Sequence, residues 1–177
     1  MSKIARLIPI IEKINRFQKP GPGKKTLQKL VYLIQRKGVG LGFNFSIHYY
    51  GPYSSELDYA LHSLEMQGVL EIIPDGKTHR ISLTENVNLI DEDESEAFDA
   101  DQLRKIDEII SKFANKSAYD LEALSTTDYV AQQLQTNGNS GDQESIVKGV
   151  RKIKGDKFSP EKIEETIAAL KEEGYLE

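Results

Sequence analysis

Ile4, Leu7, Ile8, Ile11 and Ile14 recur three and four residues apart and predict an amphipathic helix over residues 3–17. Pro20-Gly21-Pro22-Gly23 breaks that pattern, and Leu27, Leu30, Val31 and Ile34 restart it as a second helix over 24–36. After Gly38, Gly40 and Gly42 the period falls to two. Phe43, Phe45, Ile47 and Tyr49 alternate with Asn44, Ser46, His48 and Tyr50, as in a half-buried strand that Gly51-Pro52 ends. Ser54 or Ser55 caps a third helix, 54–67, with Leu57, Ala60, Leu61 and Leu64 on its inner face and Gly68 as its C′ residue. Ser55 and Asp58 have the spacing of a capping box. Val69–Ile73 and Thr78–Leu83 then read as two strands joined across Pro74-Asp75-Gly76-Lys77.

Helix, helix, strand, helix, hairpin within ninety residues is the order of a winged helix-turn-helix variant. The hairpin leaves no room for the crossover that a parallel sheet needs. Past the run Asp91-Glu92-Asp93-Glu94-Ser95-Glu96 the pattern is helical throughout. Asp99 with Gln102 caps a helix bearing Leu103, Ile106, Ile110 and Phe113, and Ser117 with Asp120 caps one bearing Leu121, Leu124 and Leu134. A polar loop at 136–141 precedes a helix with Ile146, Val150 and Ile153. Ser159-Pro160 opens the last helix, which carries Ile163, Ile167 and Leu170 and ends at Gly174. The expected fold is α+β. A winged-helix-like N-terminal domain, 1–88, is followed by an acidic linker, 89–98, and a helical C-terminal region, 99–177, packed on it.

Composition narrows the chemistry. The 177 residues include no Cys, which excludes a disulfide framework, a Cys-ligated zinc or iron–sulfur site and a thiol nucleophile. The apolar run Ile4–Ile14 is too short and too charged for a membrane span, and no cleavable signal pattern follows it, so the expectation is a soluble, cytoplasmic protein. The net charge of −5 conceals a segregation. Residues 1–40 hold ten basic groups and one acid, net +9, and residues 81–120 hold four basic groups and eleven acids, net −7. Such asymmetry fits nucleic-acid contact or one part of the chain attracting another, and the second reading is preferred.

Gly21-Pro22-Gly23-Lys24-Lys25-Thr26 lacks the first glycine and the preceding strand of a phosphate-binding loop. Gly38-Val39-Gly40-Leu41-Gly42 leads into a strand where a dinucleotide fingerprint needs a helix. His48, His62 and His79 lie in different elements with no convergent ligand set, and no serine sits in a Gly-x-Ser-x-Gly elbow. No catalytic residue, metal site or cofactor is expected, and the chain reads as a non-enzyme.

Two binding surfaces remain. The third helix stands where a DNA reader would stand, yet it carries Glu56, Asp58 and Glu65 and no Arg or Lys. Ser55, Tyr59, His62 and Met66 line the side opposite its leucines, so the C-terminal helices cover that side or a partner protein does. The alternative is a DNA-binding regulator. It would use a basic stripe of Lys25, Lys29, Tyr32 and Arg36 on the second helix, with Lys77 and Arg80 on the wing.

Lys25-Thr26-Leu27-Gln28-Lys29-Leu30-Val31-Tyr32, Phe43-Asn44-Phe45 and Tyr49-Tyr50-Gly51-Pro52-Tyr53-Ser54-Ser55-Glu56-Leu57 resemble the YwgA-type proteins of bacteria and archaea, themselves distantly similar to the Panacea (SocA-like) antitoxin domain. This chain has Tyr53 where that pattern more usually has a small aliphatic residue. The resemblance implies a non-catalytic module, antitoxin- or adaptor-like, that acts by direct protein contact. Independently of the resemblance, an acidic, aromatic-bearing third helix where a DNA reader would be basic makes Tyr50, Tyr53, Tyr59, His62 and Met66 the expected contact surface, with another protein or a second copy as the partner. Tyr49, Tyr50 and Tyr53 fit core or contact equally.

Overall fold

Eight α-helices and two separate two-stranded sheets make up the described residues, a mixed α+β arrangement. The computed structural model describes residues 2–19, 21–90 and 94–177. Contacts divide the chain into two compact units, Met1–Ser46 with Tyr53–Lys116, and Ile47–Pro52 with Ser117–Glu177. The contacts place residues 99–116 with the N-terminal helices, where the sequence pattern groups them with the C-terminal ones. Of the acidic run, Asp91–Asp93 lie outside the described residues, and Glu94–Ala97 form a one-turn helix, α4.

In the first unit, α1 (Leu7–Asn15) and α2 (Lys24–Arg36) both pack against α5 (Ala100–Phe113). The expected α1 face is buried at Leu7, Ile8, Ile11 and Ile14, and α5 buries Ile106, Ile110 and Phe113. The Asp99 carboxylate accepts from the Gln102 N–H at 2.8 Å and the Gln102 amide oxygen accepts from the Asp99 N–H at 3.1 Å, so the predicted capping box forms. Lys13, itself buried, meets Asp107 at 2.7 Å, which joins the basic N-terminal segment to the acidic middle of the chain.

Helix α3 (Ser55–Met66) begins at Ser54, whose hydroxyl accepts from the Leu57 N–H, so the Ser55/Asp58 box does not form. Gln28 fixes that start from α2. Its side chain donates to the Ser54 carbonyl at 2.9 Å and accepts from the Ser54 N–H at 2.8 Å. Strands β3 (Leu70–Asp75) and β4 (Thr78–Leu83) pair antiparallel from Leu70↔Leu83 to Asp75↔Thr78, leaving Gly76-Lys77 as a two-residue turn. The entry to α2 lies along β4. The Ile81 N–H donates to the Pro22 carbonyl at 2.8 Å, and a Cβ on Gly21 would stand 1.7 Å from the Ile81 oxygen. Only glycine fits there.

The expected strand over 43–50 is corrected. Its extended pairing covers only β1 (Ser46–His48); the chain reverses at Tyr49-Tyr50 and returns as β2 (Gly51–Tyr53), so Gly51-Pro52 begins a strand instead of ending one. Gly51, at φ +96°, takes a backbone conformation open to glycine just after the reversal. Burial fades along the alternating residues, from buried Phe43 through half-buried Phe45 and Ile47 to fully presented Tyr49.

In the second unit, α6 (Ala118–Thr136), α7 (Gln143–Lys154) and α8 (Pro160–Glu172) pack pairwise. Val130, Ala131, Ile146, Val150, Phe158, Ile163 and Ile167 form their shared core. Ser117, Asp142 and Ser159 cap the three helices, with Pro160 in the first turn of α8.

Candidate functional site

Helix α3 presents two unlike faces. Leu57, Ala60, Leu61 and Leu64 are buried, whereas Tyr59 is 74% exposed, Met66 is 89% exposed and His62 also faces solvent. The spacing of the leucines fixes this, because residues three and four apart share a side and Tyr59, His62 and Met66 fall on the other. Large exposed apolar groups on one helix face are costly to leave in water, which gives them value as contact residues. Beside Tyr59 lies an open groove of about 520 Å³, bounded by Lys3, Ile4, Phe43, Glu56, Tyr59 and Ala60. Nothing in the spacing of those residues announces it, since three separated segments build it.

Two of the three acids of α3, Glu56 and Asp58, are met by lysines. Glu56 pairs with Lys3 at 2.6 Å, Asp58 with Lys24 at 2.6 Å, and Glu65 lies 3.2 Å from His62. Hydrogen bonds from Lys3, then from the Asn44 side chain and backbone, hold the Glu56 carboxyl below the usual carboxylate range. Tyr53 is half-buried, and burial first, then the charge and hydrogen bond of Asp58, raise its hydroxyl above the ordinary tyrosine value. The helix thus offers rings and a thioether on its outer face, with Glu56 and Asp58 held in ion pairs instead of standing bare.

The basic stripe predicted for α2 is corrected by burial. Lys29 is 4% exposed and Tyr32 is 5% exposed, with the Tyr32 ring edge-on to Phe45 at 5.4 Å. Lys25 is exposed and Arg36 half-buried, so only the two ends of the stripe reach solvent. On the wing, Lys77 and His79 are exposed, but Arg80 is engaged: it donates to Asp75 at 2.7 Å and to the Gly21 carbonyl at 3.2 Å.

Tyr50 belongs to the second unit with the turn that carries it. The Tyr49 and Tyr50 rings meet edge-on at 4.8 Å, and the Lys157 ammonium lies 5.3 Å from the Tyr50 ring centre. Both side chains are exposed. Of the five residues expected to form one surface, Tyr59, His62 and Met66 lie on α3 with Tyr53 just before it, in the first unit, and Tyr50 lies on the hairpin turn, in the second.

Among the described residues, no three His, Asp or Glu side chains gather as a metal site, and no helix is long and apolar enough to cross a membrane. No family model matches the chain. Over 67 residues it is 34% identical to the uncharacterised protein YwgA of Bacillus subtilis (strain 168). That stretch is 36% of this chain and 40% of YwgA, so the match spans less than half of either, and the chain is YwgA-like over that part.

Proposed function

We propose that this chain is a non-catalytic binding module that acts through protein–protein contacts made by the outer face of α3. The observation that carries the reading is the exposure of Tyr59 and Met66 on a helix whose opposite face is fully buried. Tyr and Met are enriched at interface cores, and a helix with three carboxylates and no Lys or Arg of its own suits a polypeptide better than a polyanion. The antitoxin- or adaptor-like role implied by the distant resemblance to the Panacea domain belongs to this reading, as does a winged-helix identity for α1–α3 with β3–β4 as the wing. The duplex-binding alternative has less support, because Lys29 and Tyr32 are buried and Arg80 is bound to Asp75.

A photo-reactive amino acid at position 59, compared with one at exposed Glu164 on α8, tests the reading in the producing cell. A discrete protein adduct specific to position 59 and lost on Met66→Ala supports it. Identical adducts from both positions, or adducts to nucleic acid alone, count against it.

A further inference from the structure

The two-stranded hairpin that holds Tyr49 and Tyr50 is short and mostly exposed. Its strands are three residues each, and an isolated pair of that length is marginal in water. Within Ile47–Pro52, only Gly51 and Pro52 are buried, Ile47 is half-buried, and His48, Tyr49 and Tyr50 face solvent. The apolar area removed from water is therefore small.

What the second unit supplies instead is polar. Glu122 on α6 is buried, its side chain only 7% exposed, and it takes two lysines: Lys154 at 2.7 Å, itself 4% exposed, and Lys157 at 2.7 Å. Lys154 also donates a hydrogen bond to the main-chain carbonyl of Tyr49. Lys157 lies 6.0 Å from the Tyr49 ring centre and 5.3 Å from that of Tyr50, within reach of a cation–π attraction. The Tyr119 hydroxyl donates to the Lys157 carbonyl at 3.4 Å. Lysine 154 comes from the last turn of α7 and Lys157 from the link to α8, so one carboxylate draws both cations to the hairpin.

We infer that Ile47–Pro52 is a strap latched by Glu122, which acts as a positioning residue through Lys154 and Lys157. Lys154 grips the main chain at Tyr49, a contact indifferent to side-chain identity, and Lys157 sets the two rings. The strap opens without unfolding α6–α8, because their core of Val130, Ile146, Val150, Phe158, Ile163 and Ile167 involves none of its residues. Opening would withdraw Tyr49 and Tyr50 as an ordered pair, so the latch controls whether those rings are presented together.

Hydrogen–deuterium exchange on the 177-residue chain, read peptide by peptide, tests this. Lys154→Met keeps the volume and leaves Glu122 paired with Lys157; exchange in the peptide spanning 46–53 should rise about tenfold, the worth of one charge-assisted hydrogen bond, while peptides of α8 stay unchanged. Lys157→Met, at a more exposed position, should raise strap exchange less, and Glu122→Gln more than either. Strap exchange unaltered in both lysine variants overturns the latch. So does exchange that rises equally in the strap and in α8, since the strap would then not open separately.

Discussion

Leu61 and Tyr59 stand two residues apart on α3, and their truncation should have opposite consequences. Leu61 is fully buried, so Leu61→Ala removes three carbons from a packed site and leaves a cavity, a loss of about 3 kcal/mol. At about 4 °C per kcal/mol for a unit of this size, its melting midpoint should fall by about 12 °C. Tyr59 is three-quarters exposed, so little buried area is lost on truncation, and alanine gains about 0.5 kcal/mol of helix propensity over tyrosine. Tyr59→Ala should therefore be neutral or raise the midpoint by about 2 °C. Met66→Ala should change stability by less than about 0.5 kcal/mol. Urea unfolding followed by circular dichroism measures all three, with an unchanged m-value as the check that the denatured state is the same. A loss above about 1.5 kcal/mol for Tyr59→Ala would refute the reasoning, because a truncation of that size is felt only where the ring is packed.

Other expectations follow from single contacts. Gly21→Ala should destabilise the first unit by about 2 kcal/mol or more, since its Cβ collides with the Ile81 carbonyl and backbone has to move; thermal melting reads it. Asp107→Ala removes the carboxylate 2.7 Å from the buried Lys13 ammonium and should cost about 1 kcal/mol in urea unfolding, less than a fully buried pair because Asp107 is 57% exposed. Because the folded Glu56 carboxyl is held below its unfolded value of 4.5, its contribution is present above that pH and is lost as pH falls through the lower folded value. Exchange protection of residues 2–6 should decline on acidification below 4.5, and Glu56→Gln should flatten that decline. A labelled DNA duplex titrated at low salt should show no saturable rise in anisotropy; saturation that weakens steeply with added salt would restore the nucleic-acid reading.

Much of the local structure is legible in the chain because it is set by neighbours. The Asp99–Gln102 box, the Ser159-Pro160 start and the β3–β4 turn each depend on residues within four positions. The strand over 43–50 is misread because alternation alone does not reveal a reversal; the short polar-aromatic stretch Tyr49-Tyr50 turns the chain, and Gly51 accommodates it. The α2 stripe fails for a different reason. A helical projection assumes one solvent face, but α2 is buried continuously from Leu27 to Ile34, so Lys29 and Tyr32 are covered with the leucines. Helix α6 shows the same effect, buried from Leu121 to Asp128 through the polar run Ser125-Thr126-Thr127-Asp128. The outward placement of Tyr59, His62 and Met66 follows from the leucine spacing, while the pairing of Glu56 with Lys3 and of Asp58 with Lys24 and the hold of Glu122 on Lys154, 32 residues away, come from tertiary folding and leave no local trace.

The chain has two methionines, Met1 and Met66, so a methyl-labelled sample reports on the outer face of α3 through one internal resonance. The protein recovered by cross-linking at position 59 should shift or broaden the Met66 methyl signal on titration, and a DNA duplex at matched concentration should leave it unmoved. A Met66 signal indifferent to that protein, or one displaced by the duplex, would contradict the assignment of this face to protein contact.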